Sequence, residues 1–149
     1  MKAIVQKLPV AARVVLGLIF FVFGLNGFLD FLPRPPLSGP GGAFVGALAA
    51  SGYLLSLVSA TQVLCGALLL SGFFVPLALT LLAPVIVNIV AFHLFLSPGN
   101  YAVVGVVLIS ELFLAWSYRA AFAPMLQVRT SAEVPRFSPL GPKLRHLPA

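Results

Sequence analysis

The sequence predicts an all-α polytopic membrane protein: a four-transmembrane-helix bundle with a short interfacial helix between spans 1 and 2. Three observations carry that expectation. Of the 149 residues, 60% are hydrophobic and only 8% charged, with a mean hydropathy of +1.10. A soluble domain carries roughly 25% charged residues because its surface must face water. Four apolar segments approach the length of about 20 residues that a helix needs to cross a hydrocarbon core. The basic residues, finally, gather at the two ends of the chain and not between the spans.

The first span covers Val14 to Leu32, VVLGLIFFVFGLNGFLDFL. Its apolar run is longer than the core of a secretory signal and no small-residue cleavage site follows, so it reads as a signal anchor. The loop "PRPPLSGPGG" is kept out of helix by its prolines. The "AFVGALAAS" that follows is too short to span and reads as an interfacial or partly re-entrant helix. The second span covers Tyr53 to Ser71 and stops at Gly72. The third runs from Val75 to Leu96, opened by Pro76 near the first-turn position where proline is tolerated. Pro84 should kink or loosen it. So little chain separates spans two and three that they form a tight hairpin, and "SPGN" makes an equally tight turn into the fourth span, Tyr101 to Tyr118. Its Tyr101, Trp116 and Tyr118 suit membrane interfaces.

Residues 14–121 therefore form one membrane domain, residues 1–13 a cytoplasmic N-terminus and residues 122–149 a basic, proline-containing cytoplasmic tail expected to be disordered. Lys2, Lys7 and Arg13 precede the first span, and Arg119, Arg129, Arg136, Lys143 and Arg145 follow the last; Arg34 alone lies in the opposite loops. An excess of Lys and Arg marks the cytoplasmic side, which places both termini there. The same clustering explains the net charge of +6 without nucleic acid, whose recognition calls for basic side chains spread along a face or groove. Cys65 is the single cysteine, so the chain cannot form an internal disulfide or a thiol relay. With only His93 and His146 besides, no zinc or iron–sulfur ligand set is visible and no metal is expected.

The informative residues are the few polar ones inside the spans. With a rise of about 1.5 Å per residue, Asn26, Gln62 and Asn88 lie roughly 9, 14 and 12 Å from the outer end of their spans, and Glu111 roughly 15 Å. Each helix supplies one strongly polar residue to this level. Asn26, Gln62, Asn88 and Glu111 are the candidate intramembrane pocket, with Asp30 and His93 nearer the surface as its candidate mouth. A charged carboxylate near the middle of a span costs on the order of 3 kcal/mol, so Glu111 should face the bundle interior. The bland alternative is that the amides only glue helices together, at about 0.6–2 kcal/mol each. His93 is five residues beyond Asn88 and points about 140° away from it. Cys65 reads as a small apolar filler.

Taken together, "RVVLGLIFFVFGLNGF" in the first span, "TQVLCGALLLSG" in the second and "VNIVAFHLFLSPG" closing the third resemble the DoxX family of small four-helix bacterial membrane proteins. Many relatives carry a glutamate where this chain has Gln62 and a lysine where it has Gly27. The resemblance implies a bacterial inner (plasma) membrane location and association with redox enzymes. Some relatives are subunits of a thiosulfate:quinone oxidoreductase, and others are scaffolds for oxidative-stress complexes. The functional expectation is a membrane subunit or anchor of a quinone- or sulfur-linked, or oxidative-stress-related, oxidoreductase system, acting in the lipid bilayer with other membrane or redox proteins. No cofactor motif is evident, and quinone is the one cofactor in view. Two other readings stand beside it. One is a non-catalytic scaffold, favoured by the lack of a metal, flavin, haem or nucleophile constellation. The other is a small transporter or channel subunit, which would need a homo-oligomer to build its pore, since four helices make a thin bundle without an evident inverted repeat.

Overall fold

The computed structural model describes residues 2–33 and 36–126; Arg34 and the tail from residue 127 onward, for which the sequence predicts disorder, lie outside the described residues. In lipid a single spanning segment must satisfy its own backbone groups, which only a helix does. The apolar segments accordingly form helices: α1 (Lys2–Leu29), α2 (Gly39–Ala50), α3 (Leu54–Ser71), α4 (Val75–Ala91), α5 (Tyr101–Ser117) and the short α6 (Arg119–Phe122). A π-helical turn, Phe92–Leu96, extends α4, and a 3-10 turn, Ala123–Leu126, follows α6.

Several boundaries differ from those drawn on hydropathy. Helix α1 begins well before Val14 and carries Pro9 inside it, because apolar composition marks where lipid begins and not where helical hydrogen bonding does. It ends at Leu29, short of Leu32. Asp30 turns left-handed there (φ 49), its N–H returning to the Asn26 carbonyl at 3.1 Å. The Asn26 side chain then accepts the Leu32 N–H at 2.6 Å, closing the helix end with an amide where water would otherwise be needed. Helix α4 runs unbroken through Pro84; its irregularity comes later, as the π turn.

Three helices are long and apolar enough to cross a membrane alone: Lys7–Leu29, Leu54–Ser71 and Val75–Leu96. A fourth reaches that length only when Tyr101–Ser117 is joined with its continuation Arg119–Leu126, which bends away by 72°. Only 22–28% of each of the three spans is buried inside the bundle, and side chains such as Leu18, Leu64, Val87 and Ile109 are exposed around it. An apolar outer surface this extensive fits lipid as its solvent. The chain is a helical membrane protein.

Each spanning helix packs against two others in the order α1, α3, α4, α5 and back to α1. The α1–α3 seam is the tightest. Gly66 lies so close to α1 that a Cβ there would sit 2.6 Å from the Phe21 amide nitrogen and 2.9 Å from the Gly17 carbonyl oxygen. A Cβ on Gly24 would sit 2.8 Å from the Val63 nitrogen. Small residues let membrane helices approach to backbone contact, where dispersion replaces the missing hydrophobic drive. Leu16, Phe20, Leu69, Leu79, Leu82 and Leu114 fill the core between the four helices.

The two ends of the bundle are built differently. At the α3–α4 hairpin, Gly72 caps α3 in a left-handed conformation (φ 80), its N–H bonded to the Leu68 carbonyl. The Arg13 guanidinium packs against Gly72, a cation at the helix end where the dipole is negative. At the opposite end α2, the short helix expected between the first two spans, packs on the π turn, with Gly41 set against Leu96 and Ser97.

Candidate functional site

In the half of the bundle nearer α2, side chains from all four spanning helices surround a cavity of about 220 Å³. Its walls are mainly apolar, with Phe20 and Phe23 from α1 and Val104 and Val107 from α5. Three polar side chains interrupt them: Gln62 from α3, His93 from the π turn and Asn100 from the start of α5.

Local structure determines what His93 offers. Its Nδ1 lies 2.8 Å from the Ile89 carbonyl oxygen one turn back. A carbonyl only accepts, so Nδ1 bears the proton and, in the neutral ring, Nε2 is a lone-pair acceptor. Phe92 meets the imidazole edge-on at 5.4 Å between centroids, and Phe44 of α2 packs on Phe92 at 6.0 Å. Helix α2 thus braces the π turn that positions the histidine; such turns are frequent at functional sites.

A second cavity, of about 380 Å³, lies along the seam between α1 and α3 toward the α2 end, lined by Asn26, Ser59 and Gln62 with Leu32 and Pro33. Phe23 and Gln62 line both cavities and form the partition between them. Gly27 borders the second one, and a side chain at that position would overlap the Ser59 hydroxyl. Positions 27 and 62 therefore face the same space.

The four polar residues expected in one pocket do not share one. Asn26, 6% exposed, and Gln62 meet at the second cavity, and Gln62 alone of the four reaches the first. Asn88 is exposed on the outer side of α4, in a groove with Phe44, Phe92 and Phe95. Glu111 does point inward, 7% exposed, but one helical turn beyond Val107, under the cavity floor. Its Oε2 has no hydrogen-bond partner among the described residues. Cys65 is fully buried on α3. Asp30, expected at the mouth, lines neither cavity, whereas His93 is a wall of the first. The physical reason is that helical rise sets depth, while the direction a residue faces depends on how its helix is turned against its neighbours.

Asn100 escaped sequence reasoning, which saw only the "SPGN" turn. It sits left-handed (φ 52) at the start of α5, a conformation asparagine tolerates better than most residues. A polar side chain in that conformation directly before an apolar span was the available signal. Among the described residues, no three His, Cys, Asp or Glu side chains group to hold a metal.

No curated protein matches the chain, and no solved structure does. A family model, DoxX, matches residues 8–94. The match runs from the first helix into the π turn, so it takes in Asn26, Gln62, Asn88 and His93 and leaves Asn100 and Glu111 beyond it. It covers more than half of the 149 residues, and on that ground the chain belongs to the DoxX family.

Proposed function

We propose that this DoxX protein is the membrane subunit of a quinone-linked oxidoreductase system in the bacterial inner membrane, and that the cavity lined by Gln62, His93 and Asn100 holds a quinone ring. One observation carries the reading: an apolar cavity inside the lipid-embedded bundle with hydrogen-bonding side chains on three of its walls. A quinone ring is flat and apolar with an oxygen at each end. Phe20 and Phe23 offer aromatic surface for its face, and the amides of Gln62 and Asn100 can donate to its oxygens. The volume of about 220 Å³ suits the ring alone, with the tail passing between α1 and α5, where Phe23 and Val103 line the cavity and are exposed to lipid. In this reading the chain binds and orients the ring, and a partner protein exchanges electrons with it. Asn88 and Glu111 do not touch the ring.

The test is direct binding. Purified protein in mild detergent should take up a short-tailed benzoquinone, and Gln62→Leu should weaken that binding about tenfold, the loss of one buried hydrogen bond. No uptake, or equal uptake by the variant, removes the reading.

We further propose that the end bearing Arg13 and Arg119 faces the cytoplasm, following the excess of basic residues there. The cavity then lies toward the periplasm. Alkaline phosphatase inserted in the Ser97–Asn100 turn should be active, and the same reporter fused after Leu126 inactive. The reverse pattern would invert the orientation.

A further inference from the structure

We infer that the cavity lined by Gln62, His93 and Asn100 prefers the reduced ring, which bears hydroxyls, over the oxidised ring, which bears carbonyls, and that His93 is the residue that discriminates. The inference rests on the quinone reading of the cavity and adds a redox preference to it.

The polar groups of the cavity differ in whether their polarity is fixed. Gln62 and Asn100 each carry both a carbonyl and an amide NH₂, and a half-turn of the side chain exchanges one for the other. They can serve a ring oxygen in either oxidation state. His93 has no such freedom. Its Nδ1–H is committed to the Ile89 carbonyl at 2.8 Å. Moving the proton to Nε2 would set the Nδ1 lone pair against that oxygen and forfeit the bond. Phe92, edge-on to the ring and itself packed by Phe44, resists reorientation. The neutral imidazole therefore presents only an acceptor to the cavity.

An acceptor is satisfied by a hydroxyl and left without a donor by a carbonyl. In a space walled mainly by apolar side chains, a lone pair left without a donor is costly. The loss of one such bond corresponds to about a tenfold preference for the hydroquinone. A tenfold preference raises the midpoint potential of the bound two-electron couple by about 30 mV over the free couple. The cavity would thus hold the quinone system in its reduced, hydrogen-donating form.

The experiment titrates full-length protein in detergent, under argon, with a short-tailed benzoquinone and with the same compound reduced by dithionite. The wild type should bind the hydroquinone about tenfold more tightly. His93→Leu should bring the two affinities together, and Gln62→Leu should lower both by the same factor. Because His93→Leu could disturb the π turn, the tautomer is also read directly. In ¹⁵N-histidine-labelled His146→Ala protein, His93 should show a protonated Nδ1 and a lone-pair Nε2. Equal affinities for the two forms in the wild type, or a proton on Nε2, overturn the inference and leave the quinone reading in place. Binding of neither form removes both.

Discussion

Gly66→Ala should destabilise the bundle by about 1–3 kcal/mol, the usual cost of adding a methyl group where the core cannot give way. The atoms that a Cβ would meet are the Phe21 nitrogen at 2.6 Å, the Gly17 carbonyl oxygen at 2.9 Å and the Phe21 Cα at 2.9 Å. All three are backbone, so no rotamer change relieves the overlap and α1 and α3 must separate. Gly105→Ala is the matched control. Nothing lies within 4 Å of a Cβ built there, and alanine is the better helix former by about 0.5–1 kcal/mol. Unfolding by SDS titration, followed by circular dichroism, should place Gly66→Ala below the wild type and Gly105→Ala at or above it. Equal midpoints for the two variants would show that the close seam does not exist. Gly66 also lies one turn from Gln62, so separation of the helices should weaken ring binding along with stability.

Glu111→Leu should do the opposite and stabilise the protein, by about 1–3 kcal/mol, the penalty of a buried polar group without a partner. The Glu111 Oε2 is such a group. Leucine has a similar volume, and Val104, Val107 and Leu114 on the same face of α5 are already buried apolar residues. The same SDS titration checks it. A less stable leucine variant would mean that the carboxyl finds a partner in the membrane-embedded protein. Affinity for the quinone ring should be unchanged, because Glu111 does not line the cavity. A large loss of affinity would place Glu111 in the ring's proton chemistry.

The chain itself revealed a good deal about its fold. The spans from Tyr53, Val75 and Tyr101 were placed within a residue of where the helices start, because Gly72, Pro76 and the "SPGN" turn mark ends by backbone chemistry. A short helix between the first two spans was expected over Ala43 to Ser51, but it begins earlier, at Gly39, because Pro40 falls in its first turn, where a missing N–H breaks no helical hydrogen bond. Hydropathy predicts span one from Val14 to Leu32, whereas the helix runs from Lys2 to Leu29. Hydropathy sees neither the helix continuing through Pro9 nor the Asn26 amide that turns the chain at Leu32.

The candidate site was legible in one dimension only. Depth follows from counting residues, and the polar level of Asn26, Gln62, Asn88 and Glu111 is a statement about depth. Which side of each helix faces inward is set by where backbones approach most closely. That depends on Gly17, Gly24 and Gly66 meeting across one seam and on the π turn that swings His93 into the bundle. These contacts join residues far apart in the chain and leave no periodic trace in it. Composition and the length of its apolar runs therefore determined that this is a helical membrane protein. Only the packed helices decided that Gln62, His93 and Asn100 share a cavity while Asn88 faces outward and Glu111 lies beneath, because rotation about a helix axis is settled by its neighbours.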